Sequence, residues 1–140
     1  MRAVQQNAAD AGSGNTAPRR ISIVDDDASI REALKSLMRS AQFDAEAFAS
    51  AEEFLASESL GDTSCLILDL TLPGMNGFEL QHRLQVEGRD IPVIFITAHA
   101  DETSRQRALK GGAIEFLSKP VRCEPLFGAI RSAMNRKPGE

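Results

Sequence analysis

The chain has 140 residues, an apolar share of 42%, a charged share of 26% and a net charge of −4. This length and balance predict one soluble globular domain rather than a disordered chain, and no apolar stretch approaches the roughly eighteen residues of a membrane-spanning helix. The acidic balance disfavours nucleic acid as a direct partner, because phosphate binding needs a basic surface.

The cysteines and the N-terminus indicate a reducing compartment. Cys65 lies inside an apolar run and Cys123 lies far along the chain, so we expect buried or inert thiols rather than a metal-binding pair. The N-terminal stretch MRAVQQNAAD lacks the hydrophobic segment of a signal peptide. We therefore expect a cytoplasmic protein.

The first twenty residues carry few large apolar side chains. Such a segment cannot bury enough surface to offset the entropy lost on ordering. We predict a flexible N-terminal tail at residues 1–20, a folded domain at residues 21–136 and a short C-terminal tail at residues 137–140.

Short apolar runs alternate with helical patterns from Ile21 onward. The run ISIV predicts a first strand, and apolar residues at spacings of three and four predict a following helix: Ile30, Ala33, Leu34, Leu37, Met38 and Ala41. Alternation from Phe43 to Phe48 predicts a second strand. Ser50 and Glu53 then have the spacing of a capping box, which predicts a second helix.

The central part of the chain repeats this alternation. CLILDL is apolar on both faces, as a central parallel strand should be, and TLPGMNG has the proline and glycines of a loop. A third helix through Phe78, Leu80 and Leu84 leads to a fourth strand, IPVIFIT.

The fourth helix, between Asp101 and Lys110, has only Ala108 and Leu109 as apolar residues, so we expect it to be weakly anchored. AIEFLSK predicts a fifth strand, and a proline at position 125 opens a last helix.

Five strands alternating with five helices predict an α/β fold: a doubly wound, flavodoxin-like parallel sheet between two helical layers. Such sheets bind ligands beyond the carboxyl ends of their strands. If the strand order is 2-1-3-4-5, the first and third strands are neighbours at the point where the order reverses.

Polar side chains collect at these strand ends: Asp25, Asp26 and Asp27 after the first strand, Asp69 at the end of the third, Thr97 at the end of the fourth and Lys119 at the end of the fifth. Clustered carboxylates repel one another and raise each other's pKa unless a cation is present. Mg²⁺ is coordinated by oxygen ligands and typically takes one or two carboxylates. The sequence therefore predicts a divalent cation site.

Simpler interpretations exist for single residues. Asp27 alone is better explained as a helix N-cap, and Asp25 with Asp26 could form a solvated first helical turn. Thr97 and Lys119 in isolation would be an ordinary strand residue and a surface lysine. The functional interpretation depends on the whole set.

Four motifs in order, IVDDD, LILDLTLPGMNG, FITAHA and FLSKP, carry a family resemblance. From Ile21 to Met134 the chain resembles the receiver domain of bacterial two-component response regulators, most closely the nitrogen-fixation and nitrate-regulator type. The resemblance implies the 2-1-3-4-5 order and a phosphorylation-driven switch rather than an enzyme with an external substrate.

The resemblance also implies roles for the site residues. Asp69 would accept a phosphoryl group from a sensor histidine kinase or phosphotransfer protein, and Lys119 would pair with the phosphoryl oxygens. Asp26 would bind Mg²⁺ directly, Asp25 would act mostly through water, and Asp69 and the Thr71 carbonyl would be further ligands.

Two further residues are implied to form the switch. The Thr97 hydroxyl would move toward the phosphate, and the Phe116 ring would follow it. The Lys119–Pro120 peptide bond would be cis. The expected consequences of phosphorylation are contact with a downstream protein and formation of a phosphorylation-dependent dimer.

Two alternatives stay open. Haloacid-dehalogenase-type phosphatases also use an Asp nucleophile with Mg²⁺, but they carry a second Asp two positions later, where this chain has Thr71. A helix-turn-helix output domain needs at least three helices, and only NRKPGE follows Met134. The chain would then be either a stand-alone receiver or a truncated DNA-binding transcriptional regulator.

Overall fold

A computed structural model describes residues 19–136. The first strand begins at Arg20, one residue before the predicted start of the domain. Residues 1–18 of the predicted N-terminal tail and the predicted C-terminal tail at 137–140 lie outside the described residues. None of the helices within 19–136 has the length and apolar character needed to cross a bilayer.

The sheet has five strands: β1 Arg20–Val24, β2 Asp44–Phe48, β3 Thr63–Asp69, β4 Val93–Thr97 and β5 Glu115–Ser118. They form one parallel sheet with the order β2-β1-β3-β4-β5, which confirms the predicted topology. The central strands are apolar on both faces because helices cover both sides of the sheet.

Five α-helices alternate with the strands: α1 Ala28–Ser40, α2 Ala51–Leu55, α3 Gly77–Val86, α4 Glu102–Lys110 and α5 Cys123–Asn135. A short 3₁₀ helix, Glu58–Asp62, follows α2 and was not predicted. Asp27 is the N-cap of α1, because its side chain accepts hydrogen bonds from the backbone N–H groups of Ser29 and Ile30.

Alternate residues along the strands point to opposite faces of the sheet and pack into two separate cores, one on each face. One core packs against α2, α3 and α4 and includes Phe54, Leu66, Leu68, Leu80 and Phe95. The other packs against α1 and α5 and includes Ile21, Ile23, Ile67, Ile94 and Leu126. This arrangement gives the three layers predicted from the sequence.

The capping box predicted for α2 is only half formed. The Ser50 hydroxyl accepts a hydrogen bond from the Glu53 backbone N–H over 3.1 Å, as expected. The Glu53 carboxylate, however, accepts from the Ala49 N–H over 3.3 Å rather than from Ser50. A complete capping box occurs instead at α3, between Asn76 and Glu79.

Helix α4 is held mainly near its C-terminal end. Ala108 is its one fully buried residue. The Gln81 side chain of α3 donates to the Ala108 carbonyl over 3.1 Å, and Gln85 donates to the carbonyl of Gly111. The Arg107 guanidinium lies 4.1 Å from the centre of the Phe78 ring. The weak anchoring expected for this helix therefore applies to its first turn.

Candidate functional site

The carboxylates of Asp25, Asp26 and Asp69 lie together at the carboxyl ends of β1 and β3. These strands are neighbours, and Val24 pairs with Leu68 just before the two buried acids. One oxygen from each carboxylate lies within 4.8 Å of the others. The sequence placed these acids at one edge of the sheet, and the structure brings them within the range of a shared cation.

Asp25 is fully buried and is held at almost every polar atom. Its backbone N–H donates to the Phe48 carbonyl over 3.1 Å, and its Oδ1 accepts from the Asp27 N–H over 2.9 Å. Its carbonyl accepts from Arg31 Nη1 over 2.8 Å. Its Oδ2 forms an ion pair with Lys119, whose Nζ lies 2.8 Å away.

Lys119 brings the only ammonium group into this cluster of described residues. It follows β5, where its backbone N–H donates to the Thr97 carbonyl over 2.8 Å, and its peptide bond to Pro120 is cis. Its Nζ lies 2.8 Å from Asp25 Oδ2 and 3.3 Å from Asp69 Oδ2. Burial lowers the pKa of Lys119, but its contacts with the two carboxylates raise that pKa above the ordinary value.

Asp69 has 3% of its surface exposed. Its Oδ1 accepts a hydrogen bond from the Thr71 N–H over 3.2 Å. Burial, followed by repulsion from the Asp25 carboxylate, raises the pKa of Asp69 above its ordinary value, and the opposing effects of Lys119 and the Thr71 N–H do not cancel this rise. The site is therefore short of positive charge.

A divalent cation fits this donor set. Three carboxylates face one ammonium group among the described residues, so the cluster carries an excess of negative charge. Hard oxygen ligands of this kind favour Mg²⁺ over softer metals. Asp27 does not belong to the cluster, because its carboxylate caps α1.

Gly77 allows α3 to begin directly against the end of β3. A Cβ atom at this position would lie 2.8 Å from the Asp69 carbonyl oxygen and 2.9 Å from the Leu70 Cα. The Gly77 N–H also donates to the Leu70 carbonyl over 3.0 Å. The backbone on both sides of Asp69 is thus packed tightly.

The two predicted switch residues lie on the neighbouring strands. Thr97 is fully buried at the end of β4, and its hydroxyl accepts a hydrogen bond from the His99 N–H over 3.1 Å. Phe116 is buried on β5, with its ring centre 6.4 Å from that of Phe95. The ring of Phe116 therefore points into the core in this structure.

Sequence reasoning missed two side chains that hold the loops of the site. Arg31 donates to the Asp25 carbonyl, and Glu52 of α2 accepts from the Met75 N–H over 2.9 Å in the loop after Asp69. A signal for Arg31 was present, because a basic residue near a helix N-terminus opposes the helix dipole and so calls for an explanation. Glu52 gave no such signal, because its partner is a backbone group on a distant loop.

Comparison with known proteins gives consistent matches. The sequence pattern of the family described as "Response regulator receiver domain" matches residues 21–131. The chain is 44% identical over 118 residues to the response regulator protein TodT of Pseudomonas putida, which covers 84% of this chain and 52% of TodT. It is 46% identical over 114 residues to nodulation protein W of Bradyrhizobium diazoefficiens, covering 81% and 50%. The chain thus spans about half the length of these curated relatives.

Solved structures agree with these matches. The response regulator StyR has a TM-score of 0.78 and 45% identity, covering 84% of this chain and 60% of that chain. FixJ-N has a TM-score of 0.77 and 31% identity, covering 89% of this chain and all of that chain. The resemblance predicted from the four motifs is confirmed.

Proposed function

Because this chain belongs to the response regulator receiver family, whose function is phosphorylation-driven switching, we propose that Asp69 is its phosphoryl acceptor. The observation that carries this proposal is the grouping of Asp69 with two further carboxylates and the Lys119 ammonium at one buried strand end. A reactive carboxylate needs both a nearby cation and a restricted approach, and this position supplies them.

The transfer would proceed by attack of an Asp69 carboxylate oxygen on phosphorus. The P–N bond of a phosphohistidine breaks, and its electron pair stays with the imidazole, which takes a proton from solvent. Lys119 Nζ, already 3.3 Å from Asp69 Oδ2, can donate to a phosphoryl oxygen and stabilise the developing charge.

Asp26 and the carbonyl of Thr71 would hold Mg²⁺, with Asp25 acting mostly through water. The ion would neutralise charge on the equatorial oxygens of the phosphoryl group. Support comes from the 4.8 Å grouping of the three carboxylates, whose charge the one nearby ammonium group of the described residues, that of Lys119, does not neutralise.

Thr97 and Phe116 would couple the phosphoryl group to the surface. The Thr97 hydroxyl oxygen accepts a hydrogen bond from the His99 N–H, which leaves the hydroxyl hydrogen free to be donated to a phosphoryl oxygen. Movement of this hydroxyl toward Asp69 would free space that the Phe116 ring can enter. The loop after Thr97 and helix α4, which is weakly held at its N-terminal end, would follow.

The wider role is proposed on the same basis. Receiver domains of response regulators interact with histidine kinases and output domains. For this chain we propose a sensor histidine kinase or phosphotransfer protein as donor in the cytoplasm, and a downstream protein, an output domain or a second phosphorylated copy as the target. Its chemistry would be limited to its own phosphorylation and dephosphorylation.

Phosphorylation by a small acyl phosphate tests the acceptor assignment. With Mg²⁺, we expect intact-protein mass spectrometry to detect one added phosphoryl group on the wild type and none on Asp69→Asn. Asp62→Asn, which changes an acid outside the site, is the matched control and should be modified like the wild type. Equal modification of wild type and Asp69→Asn would refute the assignment.

A further inference from the structure

Arg31 contacts the acidic cluster from outside it. The residue lies in the first turns of α1, and its backbone N–H donates to the carbonyl of Asp27 over 3.0 Å. Its side chain turns back past the start of the helix, and Nη1 donates to the Asp25 carbonyl over 2.8 Å. A half-buried guanidinium thus binds the backbone between two of the clustered acids.

The Asp25 carbonyl belongs to the planar peptide unit that joins Asp25 to Asp26. Fixing this oxygen fixes the orientation of the unit and the position of the Asp26 Cα, from which the Asp26 side chain starts. Asp25 has other restraints, since its N–H and Oδ1 are both hydrogen bonded within the fold. The contact from Arg31 therefore matters most for Asp26.

Asp26 has no comparable restraint of its own. Its side chain is exposed, and its carboxylate makes no hydrogen bond or ion pair with another residue in the part of the chain that the structure describes. The backbone sets where this side chain starts, although its χ1 and χ2 torsions can still rotate, and Arg31 is the side chain that holds the preceding carbonyl.

We propose that Arg31 is a positioning residue that holds the backbone from which the Asp26 side chain reaches a divalent cation. The proposal rests on the proposed function, because it assigns a new residue to that same site. Arg31 does not bind the cation, since a guanidinium has no acceptor. It acts through the peptide unit between the two acids.

The sign of the effect separates this role from a purely electrostatic one. A guanidinium near a cation site repels the cation, so removal of its charge alone would tighten Mg²⁺ binding. Loss of a positioning contact would weaken binding instead, and changes in groups that orient metal ligands typically cost about 10-fold to 100-fold in metal affinity.

The test is calorimetric titration of the full chain with Mg²⁺ alone. Arg31→Ala should bind Mg²⁺ about tenfold more weakly than the wild type. Arg39→Ala, which removes an exposed arginine two turns further along the same helix, should bind like the wild type. Arg31→Lys keeps the charge but loses the reach of the guanidinium, so an affinity about threefold below the wild type is expected.

A chemical denaturation curve for each variant checks that the titrated protein is folded. If Arg31→Ala is not folded, the comparison of Arg31→Lys with the wild type decides, because the two proteins carry equal charge.

The outcomes separate this inference from the proposed function. Unchanged or tighter Mg²⁺ binding by Arg31→Ala, together with a large loss in Asp26→Ala, would overturn the role of Arg31 alone. Binding that is absent in the wild type, or unaffected by Asp26→Ala, would overturn the cation site itself and the positioning role with it.

Discussion

The Gln81 side chain of α3 and the Ala108 carbonyl of α4 are joined by a 3.1 Å hydrogen bond between two buried residues. Removing one partner of a buried hydrogen bond lowers stability, because the other buried polar group is left without a partner. Gln81→Leu should therefore loosen the C-terminal end of α4 and lower the free energy of unfolding by about 1 kcal/mol. Amide exchange of residues 102–110 and a denaturation curve measure the two effects. Gln106→Leu, on the exposed face of α4, is the control, and equal effects from both variants would contradict this explanation.

The raised pKa of Asp69 predicts that the ionised Asp69 carboxylate lowers the free energy of unfolding, by an amount that depends on pH. The folded state holds the Asp69 proton more tightly than the unfolded state does, so its contribution to stability is present below the unfolded pKa and is lost as pH rises through the folded pKa. At about pH 7 without divalent cation, Asp69→Asn should have the higher free energy of unfolding. The difference should vanish below about pH 4, near the ordinary carboxyl pKa. A less stable Asp69→Asn protein at neutral pH would contradict the assigned direction.

Substitutions of Asp26 and Asp27 should have different effects, because Asp26 is assigned to cation binding and Asp27 to helix capping. Asp27→Ala removes the acceptor for the Ser29 and Ile30 N–H groups, so it should cost about 1 kcal/mol of stability and leave Mg²⁺ affinity nearly unchanged. Asp26→Ala should abolish Mg²⁺ binding without a comparable loss of stability. Titration and denaturation of both variants test the pair, and equal losses of affinity would mean that the wrong acid faces the cation.

The two cysteines should differ sharply in reactivity. Burial raises the pKa of the Cys65 thiol to about 12, whereas Cys123 is exposed at the start of α5. Because the thiolate is the reactive form, a thiol reagent at about pH 8 should modify Cys123 in the native protein and Cys65 only after unfolding. Cys123→Ser should show no fast reaction. Rapid native modification of that variant would contradict the burial of Cys65.

Thr97→Ala should separate phosphorylation from the response to it. The variant keeps the acceptor and Lys119, so it should still be modified by a small acyl phosphate with Mg²⁺. The change in amide exchange across residues 98–118 seen in the wild type should be reduced, because no hydroxyl is drawn toward the phosphoryl group. Thr97→Ser keeps the hydroxyl and is the control. A full response in Thr97→Ala would remove this residue from the mechanism.

The fold was predictable because the pattern of apolar residues is regular along the chain. Continuous apolar runs such as CLILDL indicated strands covered on both faces, and spacings of three and four indicated the helices between them. The parallel arrangement then required the strand ends to share one edge of the sheet. The meeting of Asp25 with Asp69 followed from those two steps together with the strand order, which came from the family resemblance and not from the apolar pattern.

The supporting contacts were not predictable by the same means. Arg31, Glu52 and Gln81 each bind a backbone group, and a backbone group has no residue type that a sequence can show. The half-formed capping box of α2 has a related cause, since Glu53 reaches the Ala49 N–H rather than that of Ser50. Such choices depend on distances of a few tenths of an ångström between elements.

Because α4 is attached near its C-terminal end, a small rotation about that end displaces its N-terminal end by a larger distance. Its nine residues make it about 13 Å long at a rise of about 1.5 Å per residue. A rotation of about 10° around the end near Gly111 would carry the other end through about 2 Å, while the contacts of Gln81 and Phe78 near the pivot would stretch far less. Small displacements in the buried site could therefore reach the surface enlarged, at the end where Glu102 and Thr103 are exposed.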